Sequence, residues 1–199
     1  MKAGLIDYGM GNLASVAKAI ERAGATAVVS EDTEELARAD VLVMPGVGNF
    51  AAGIHNLESR RQDSFIKKWH EEERPLLGIC LGMQLMFETS EEGESRGLGL
   101  IPGRVRKIGS GVKVPHIGWN VIRAGVSSPL SSHDGRRFYF DHSYVCQPET
   151  PVSIAECDYG EEFCAAVRQD NVWGVQFHPE KSSTDGVDLL GKLLVLACR

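Results

Sequence analysis

Pro75-Leu76-Leu77-Gly78-Ile79-Cys80-Leu81-Gly82-Met83-Gln84-Leu85-Met86-Phe87 reads as a short buried strand, a sharp turn and a helix. The charged run Glu71 to Arg74 and then Pro75 close the segment before it. Leu76, Leu77 and Ile79 suit a central strand covered on both faces. Leu81, Leu85 and Met86 then recur at helical spacing. Cys80 falls at the junction between Gly78 and Gly82. It puts a thiol where Gly-x-Ser-x-Gly elbows put a hydroxyl. A tight strand-to-helix turn holds its central residue in strained backbone, and small neighbours let the chain pack closely. A helix N-terminus at that point favours negative charge and leaves N–H groups free for an oxyanion.

Taken alone, a cysteine in an apolar strand is a small buried hydrophobe. The two glycines and the strand-to-helix setting favour a nucleophile, but a nucleophile needs a base. The bulk composition limits where to look. The chain has 199 residues, 43% hydrophobic and 24% charged, with a net charge of -6. That suits one domain, 1–199, with a sizeable core, and argues against a general nucleic-acid surface. Arg104, Arg106 and Lys107 read as a solvated strand face. No stretch approaches the roughly 18–20 apolar residues of a membrane span. The opening Met1 to Asp7 reads as a first strand rather than a signal peptide. Five cysteines lack any framework spacing, and neither Cys-x-x-Cys nor His-Glu-x-x-His occurs. No metal and no cofactor is expected, and a reducing cytoplasmic setting fits.

Along the chain, strands are predicted at Lys2 to Ile6, Thr26 to Val29 and Val41 to Met44. Helical patterns separate them: Leu13, Val16, Ala17, Ile20 and Ala23 with Gly24 as stop, then Glu34 to Ala37, the stretch through Leu57, and Phe65 to Trp69. This alternation predicts an α/β fold: an open, mixed and mostly parallel sheet flanked by helices, with a flavodoxin-like core. After Glu91 glycines cluster and apolar runs shorten, which predicts an added antiparallel ribbon. Strands are expected at Phe138 to Phe140, Val152 to Ala155, Phe163 to Arg168 and Val172 to Phe177, the last two joined at Gln169-Asp170-Asn171. A final helix presents Val187, Leu190, Leu194 and Ala197. Cys146, Cys157, Cys164 and Cys198 read as structural.

Gln176-Phe177-His178-Pro179-Glu180 follows the last strand and supplies the base. In an extended segment residues two apart share a face, so His178 and Glu180 are expected side by side. Pro179 biases His178 toward extended backbone. A carboxylate beside an imidazole fixes its tautomer and leaves the other nitrogen free to take a thiol proton. With Cys80 this completes nucleophile, base and orienter, both parts at the C-terminal ends of strands.

Gly78 to Gln84 with His178-Pro179-Glu180 resembles the class I (triad) glutamine amidotransferases. Within them the chain is similar to the glutaminase subunits of imidazole glycerol phosphate synthases. Asp7-Tyr8-Gly9-Met10-Gly11-Asn12-Leu13, Pro45-Gly46-Val47-Gly48, Pro115-His116-Ile117-Gly118-Trp119-Asn120, His142-Ser143-Tyr144 and Lys181-Ser182 carry that narrower likeness. The resemblance implies that Cys80 attacks the glutamine side-chain amide, that His178 moves the proton, and that Glu180 orients His178. It implies an oxyanion site at the N–H groups of Leu81 and Val47, the Val47 loop reorienting before its N–H points inward. Gly48, Gln84, Ser143 and Tyr144 match glutamine-holding positions, and Glu92 is a candidate for the substrate's ammonium. A glutaminase domain fills the chain, so a separate ammonia-using partner is expected. The family implies a (β/α)8-barrel cyclase subunit in a heterodimer with an internal ammonia path. Asn12 and the rest of the Asp7 to Asn12 stretch, Trp119, Asn120 and Lys181 are the interface candidates. Asp141 departs from the pattern, which has an apolar residue before His142.

Three rival readings stand beside this one. Gly9-Met10-Gly11-Asn12-Leu13-Ala14, with Glu31 and Asp32 further on, matches a dinucleotide-binding fingerprint. Asp7 would set a carboxylate near the pyrophosphate, and no second mononucleotide-binding half follows. The second rival is a glutaminase subunit serving another synthase. The third is a non-catalytic interaction subunit on the same fold.

Overall fold

Short apolar runs buried on both faces alternate with amphipathic helices through the first half of the chain. The computed structural model describes residues 1–199. The elements are β1 (Lys2–Ile6), α1 (Leu13–Arg22), β2 (Thr26–Ser30), α2 (Thr33–Leu36), β3 (Val41–Gly46), α3 (Phe50–Ser59), α4 (Gln62–Glu71), β4 (Leu76–Cys80) and α5 (Leu81–Leu85). Then follow β5 (Phe87–Ser90), β6 (Ser95–Arg96), β7 (Ile101–Lys107), β8 (His116–Arg123), β9 (Arg137–His142), β10 (Tyr144–Pro148), β11 (Ser153–Asp158), β12 (Glu162–Gln169), β13 (Val172–Val175) and α6 (Ser183–Ala197).

The parallel strands lie in the order β2-β1-β3-β4-β13, the flavodoxin-like arrangement. Beyond β13 the sheet continues through β12, β10 and β7 in antiparallel pairing and ends at β5 and β6. A ribbon of β11, β8 and β9 branches from β12. The sheet is open. Its two faces carry two apolar clusters. One packs Val16, Ile20, Leu189, Leu190, Leu193 and Leu194 of α1 and α6 against Val43, Leu77 and Trp173. The other packs Phe50, Leu57, Ile66, Trp69 and Leu81 against Leu42, Met44 and Leu76. The sheet is therefore a layer between helices, and the C-terminal ends of β1, β3, β4 and β13 emerge along one edge.

Three local expectations change. The helix after Cys80 lasts only Leu81–Leu85, and Phe87 already begins β5. Gly97 packs so closely under Phe87 and Leu85 that a side chain there would strike their carbonyls, which lets this tight turn form. The final strand stops at Val175, two residues short, and the chain then crosses to bridge His178 to Tyr139 of β9. The C-terminal helix buries Leu189 and Leu193 as well as Leu190 and Leu194. Its apolar stripe is broader than Val187, Leu190, Leu194 and Ala197 alone.

Candidate active site

Register brings the site together. β3 and β4 pair Gly46 with Cys80, and β13 and β4 pair Val175 with Ile79, so Gln176 arrives beside Cys80. Cys80 has φ 53° and ψ −108°, a conformation that costs a non-glycine residue about 1–3 kcal/mol. The neighbours enforce it. A Cβ on Gly78 would sit 2.7 Å from the backbone of Gly82 and Met83, and one on Gly82 would strike the Met44 carbonyl. The thiol is left facing the Asp141 carbonyl at 3.8 Å, with the Gln176 side-chain N–H 3.6 Å from the sulfur.

His178 reaches this point on its own scaffold. Its backbone N–H donates to Tyr139 O at 2.8 Å, and Ser182 Oγ donates to His178 O at 2.6 Å. Tyr139 N–H donates to the same Ser182 hydroxyl at 2.9 Å, closing the clamp. Glu180 lies not on an extended segment but in the 3-10 turn after Pro179. The turn still swings its carboxylate to 2.8 Å from His178 Nδ1. So the expected pair forms, by a tighter backbone route than strand alternation. The pair is almost wholly buried, and His178 Nε2 is left without a hydrogen-bond partner of ordinary geometry. Burial opposes charge on this imidazole. Cys80 and Glu180 outweigh it and push the His178 pKa up to about 10.

A cavity of about 220 Å³ opens over the thiol. Val47, Gly48, Leu81, Gln84, Glu92, Ser143 and Tyr144 line it with Cys80, Pro115, Asp141 and His142. Gln84 is buried and already committed: its amide N–H groups donate to Tyr144 O at 3.0 Å and to Gln176 Oε1 at 3.1 Å. Glu92 accepts the Phe50 N–H at 2.7 Å, so one carboxylate oxygen caps α3. Val47 is exposed on the loop after β3, and Gly48 turns that loop at φ +114°. The buried Tyr8 hydroxyl donates to Pro45 O at 2.6 Å and pins the end of β3 just before that loop. Asp141 sends its carboxylate away from the thiol, toward Lys181 Nζ at 3.8 Å.

Outside the cavity mouth, Ile117 and Trp119 are more than half exposed, on the outer face of β8. Trp119 stands edge-on to Tyr139, and Lys181 Nζ lies 5.5 Å from the Tyr139 ring centre. Asn12 is exposed and caps α1 through Ser15 N–H at 3.2 Å. Asn120 differs from these. It alternates with Trp119, and its side chain is spent inside the chain on Asp158 O and Val121 N. The glycine-rich opening is not an open phosphate cradle: Asp7 accepts the Gly9 N–H at 3.0 Å, and Gly11 backs onto Gly46. Cys146, Cys157 and Cys164 are buried and free, and Cys198 is exposed. Sequence reading misses Gln176 and Ser182 as functional neighbours of the triad. Gln176 sits one residue past β13, where strand alternation alone assigns it no task.

A strained thiol, an imidazole and a carboxylate at the C-terminal edge of an open α/β sheet form the kind of arrangement that carries out acyl transfer through a cysteine nucleophile. The chain belongs to the glutamine amidotransferase class-I family, which residues 4–195 match. It is 47% identical over 196 residues to the imidazole glycerol phosphate synthase subunit HisH of Shouchella clausii, covering 94% of each chain. It is 46% identical over 203 residues to the subunit of that name from Bacillus subtilis, covering 98% of this chain and 96% of the relative. A crystal structure of a glutamine amidotransferase superposes with a TM-score of 0.77 at 20% identity, covering 98% of both chains. At that identity the superposition speaks for the fold.

Proposed function

We propose that this chain is the glutaminase subunit of an imidazole glycerol phosphate synthase and works through Cys80, His178 and Glu180. The observation that carries the reading is the meeting of these three groups beneath a small polar-lined cavity. Cys80 Sγ attacks the side-chain amide carbon of glutamine. His178 takes the thiol proton and gives it to the leaving ammonia, leaving a thioester that water hydrolyses to glutamate. Glu180 holds His178 with Nδ1 protonated and stabilises the imidazolium. The N–H groups of Leu81 and Val47 receive the oxyanion, the second after the Val47 loop turns inward. Gly48, Gln84, Ser143, Tyr144 and Glu92 hold the substrate.

Ammonia passes to a (β/α)8-barrel cyclase subunit, which makes imidazole glycerol phosphate and AICAR in histidine biosynthesis. The exposed Trp119 and Lys181, with Asn12, form the docking face of that heterodimer. The reaction runs in the cytoplasm, and no helix is long and apolar enough to cross a membrane.

The test is glutamate release from glutamine by the chain alone, with the cyclase subunit, and with the cyclase plus its ribulosyl nucleotide substrate. Strong activation only in the last mixture is expected. Full activity without a partner keeps the triad and ends the gated-subunit reading. No activity in any mixture favours a non-catalytic subunit or a different synthase.

A further inference from the structure

A run of hydrogen bonds leaves the cavity through its wall and ends on β8, next to Trp119. Its polarity follows group by group. Tyr144 O is a carbonyl and only accepts, so His142 Nδ1, 2.8 Å away, carries a proton. Burial keeps both His142 and His116 neutral, with pKa values lowered to about 3 and about 4. His142 Nε2 is then a lone pair, and His116 Nδ1, 3.0 Å away, donates to it. That makes His116 Nε2 an acceptor, and Asn120 Nδ2 lies 3.4 Å from it. The orientation of Asn120 is fixed independently: Nδ2 also donates to Asp158 O at 2.8 Å, and Oδ1 accepts the Val121 N–H at 2.8 Å. Tyr159 and Phe140 stack on His116 and hold the ring plane.

The run continues on the other side. Gln84 donates to the same Tyr144 carbonyl and to Gln176 Oε1, and Gln176 in turn offers its N–H to Cys80 Sγ. Each bond permits one direction only. Protonating either imidazole would set two N–H groups head to head.

We propose that Asn120, His116 and His142 are positioning residues for glutamine hydrolysis, fixing the Tyr144 carbonyl and through it the Gln84 and Gln176 amides that face Cys80. This rests on the glutaminase reading above. It also ties the strand that carries Ile117 and Trp119 to the cavity by bonds rather than by packing alone.

Long-range nitrogen NMR of the chain at pH 7 tests the network directly: His116 and His142 are both expected neutral with the proton on Nδ1. An Nε2–H tautomer or an imidazolium at His142 overturns the proposal. His116→Leu in the complex with the cyclase subunit removes the donor to His142. The kcat/KM for glutamine is then expected to fall roughly ten- to a hundredfold, the cost of one unpaired buried group. Ammonia-dependent synthesis by the complex stays unchanged, and His142 loses its single tautomer. His116→Gln, which keeps an N–H, restores most of the loss. Wild-type kcat/KM in His116→Leu overturns the proposal. So does an equal loss in both variants with the His142 tautomer intact, because that pattern marks a packing defect. A wild-type complex that releases no glutamate fails the glutaminase reading itself, and the wild-type control separates that result from the others.

Discussion

His142 lines the Cys80 cavity and His178 stands against Cys80; both are hidden from solvent, yet one ends neutral and the other charged. His178 is raised to about 10 and His142 lowered to about 3. Burial presses both toward neutrality. The difference is what each ring faces. His178 has the Glu180 carboxylate on one nitrogen and the Cys80 sulfur nearby. His142 has a carbonyl on one nitrogen and a second neutral imidazole on the other. Burial alone suffices to hold His142 neutral, while at His178 the negative charge beside the ring outweighs it. The fold thus places a proton carrier and a proton-inert spacer within one small site.

The largest effect expected from breaking the charged side is at Cys80 and His178. Cys80→Ala should abolish glutamate release, and His178→Gln should cut it by roughly 10²–10⁴-fold. Both should spare ammonia-dependent synthesis by the complex, and loss of both activities would mean that these residues hold the fold. Glu180→Gln removes the carboxylate and leaves Cys80, the larger influence on His178, in place. Glutamine turnover should fall on the order of a hundredfold. The His178 titration followed by NMR should move down; an unmoved titration would place the cause elsewhere.

Stability against pH sharpens the same contrast, because the two sites have opposite signs. The folded pKa of His142 lies below its unfolded value near 6.5, so its contribution is full above that pH. It is lost as pH falls toward about 3. Each pH unit in that window costs at most ~1.4 kcal/mol. The folded pKa of His178 lies above the unfolded value. Its contribution is full below about pH 6.5 and is lost as pH rises through about 10. Denaturant midpoints should therefore decline on both sides of neutrality, and a flat profile would break the comparison. The smallest effects belong to the outer face. Lys181→Ala should change the chain's own stability by no more than ~0.5 kcal/mol, since its pair with Asp141 is half exposed. Trp119→Ala should leave stability near wild type yet weaken docking by ~2 kcal/mol, read by titration with the cyclase subunit. Unweakened docking would remove Trp119 from the interface.

The parallel half of the fold is legible in the sequence because it follows simple periods. Leu76, Leu77 and Ile79 announce a central strand, and Gly78 and Gly82 announce the elbow. The ribbon is legible only as extended chain. β8, β9 and β11 pair across distant stretches, and no local period in His116–Arg123 tells which strand it meets. In the site, His178 and Glu180 are readable from their spacing, although the 3-10 turn that joins them is not. Gln176 and Ser182 stay hidden because each acts through side-chain bonds that include a residue far along the chain. Asn120 reads as an outward residue from its place beside Trp119, and strand alternation turns it inward.

The elbow also predicts how this family of sequences tolerates change. Cys80 carries the chemistry, yet its backbone conformation would accept serine with little disturbance. Gly78 and Gly82 carry no chemistry, but any side chain there meets the backbone of Gly82 and Met83 or the Met44 carbonyl. A saturation library across Gly78 to Gly82, scored for folding alone, should therefore be least permissive at the two silent glycines and should accept serine at the nucleophile. The reactive atom is the replaceable part of this site, and the empty space around it is not.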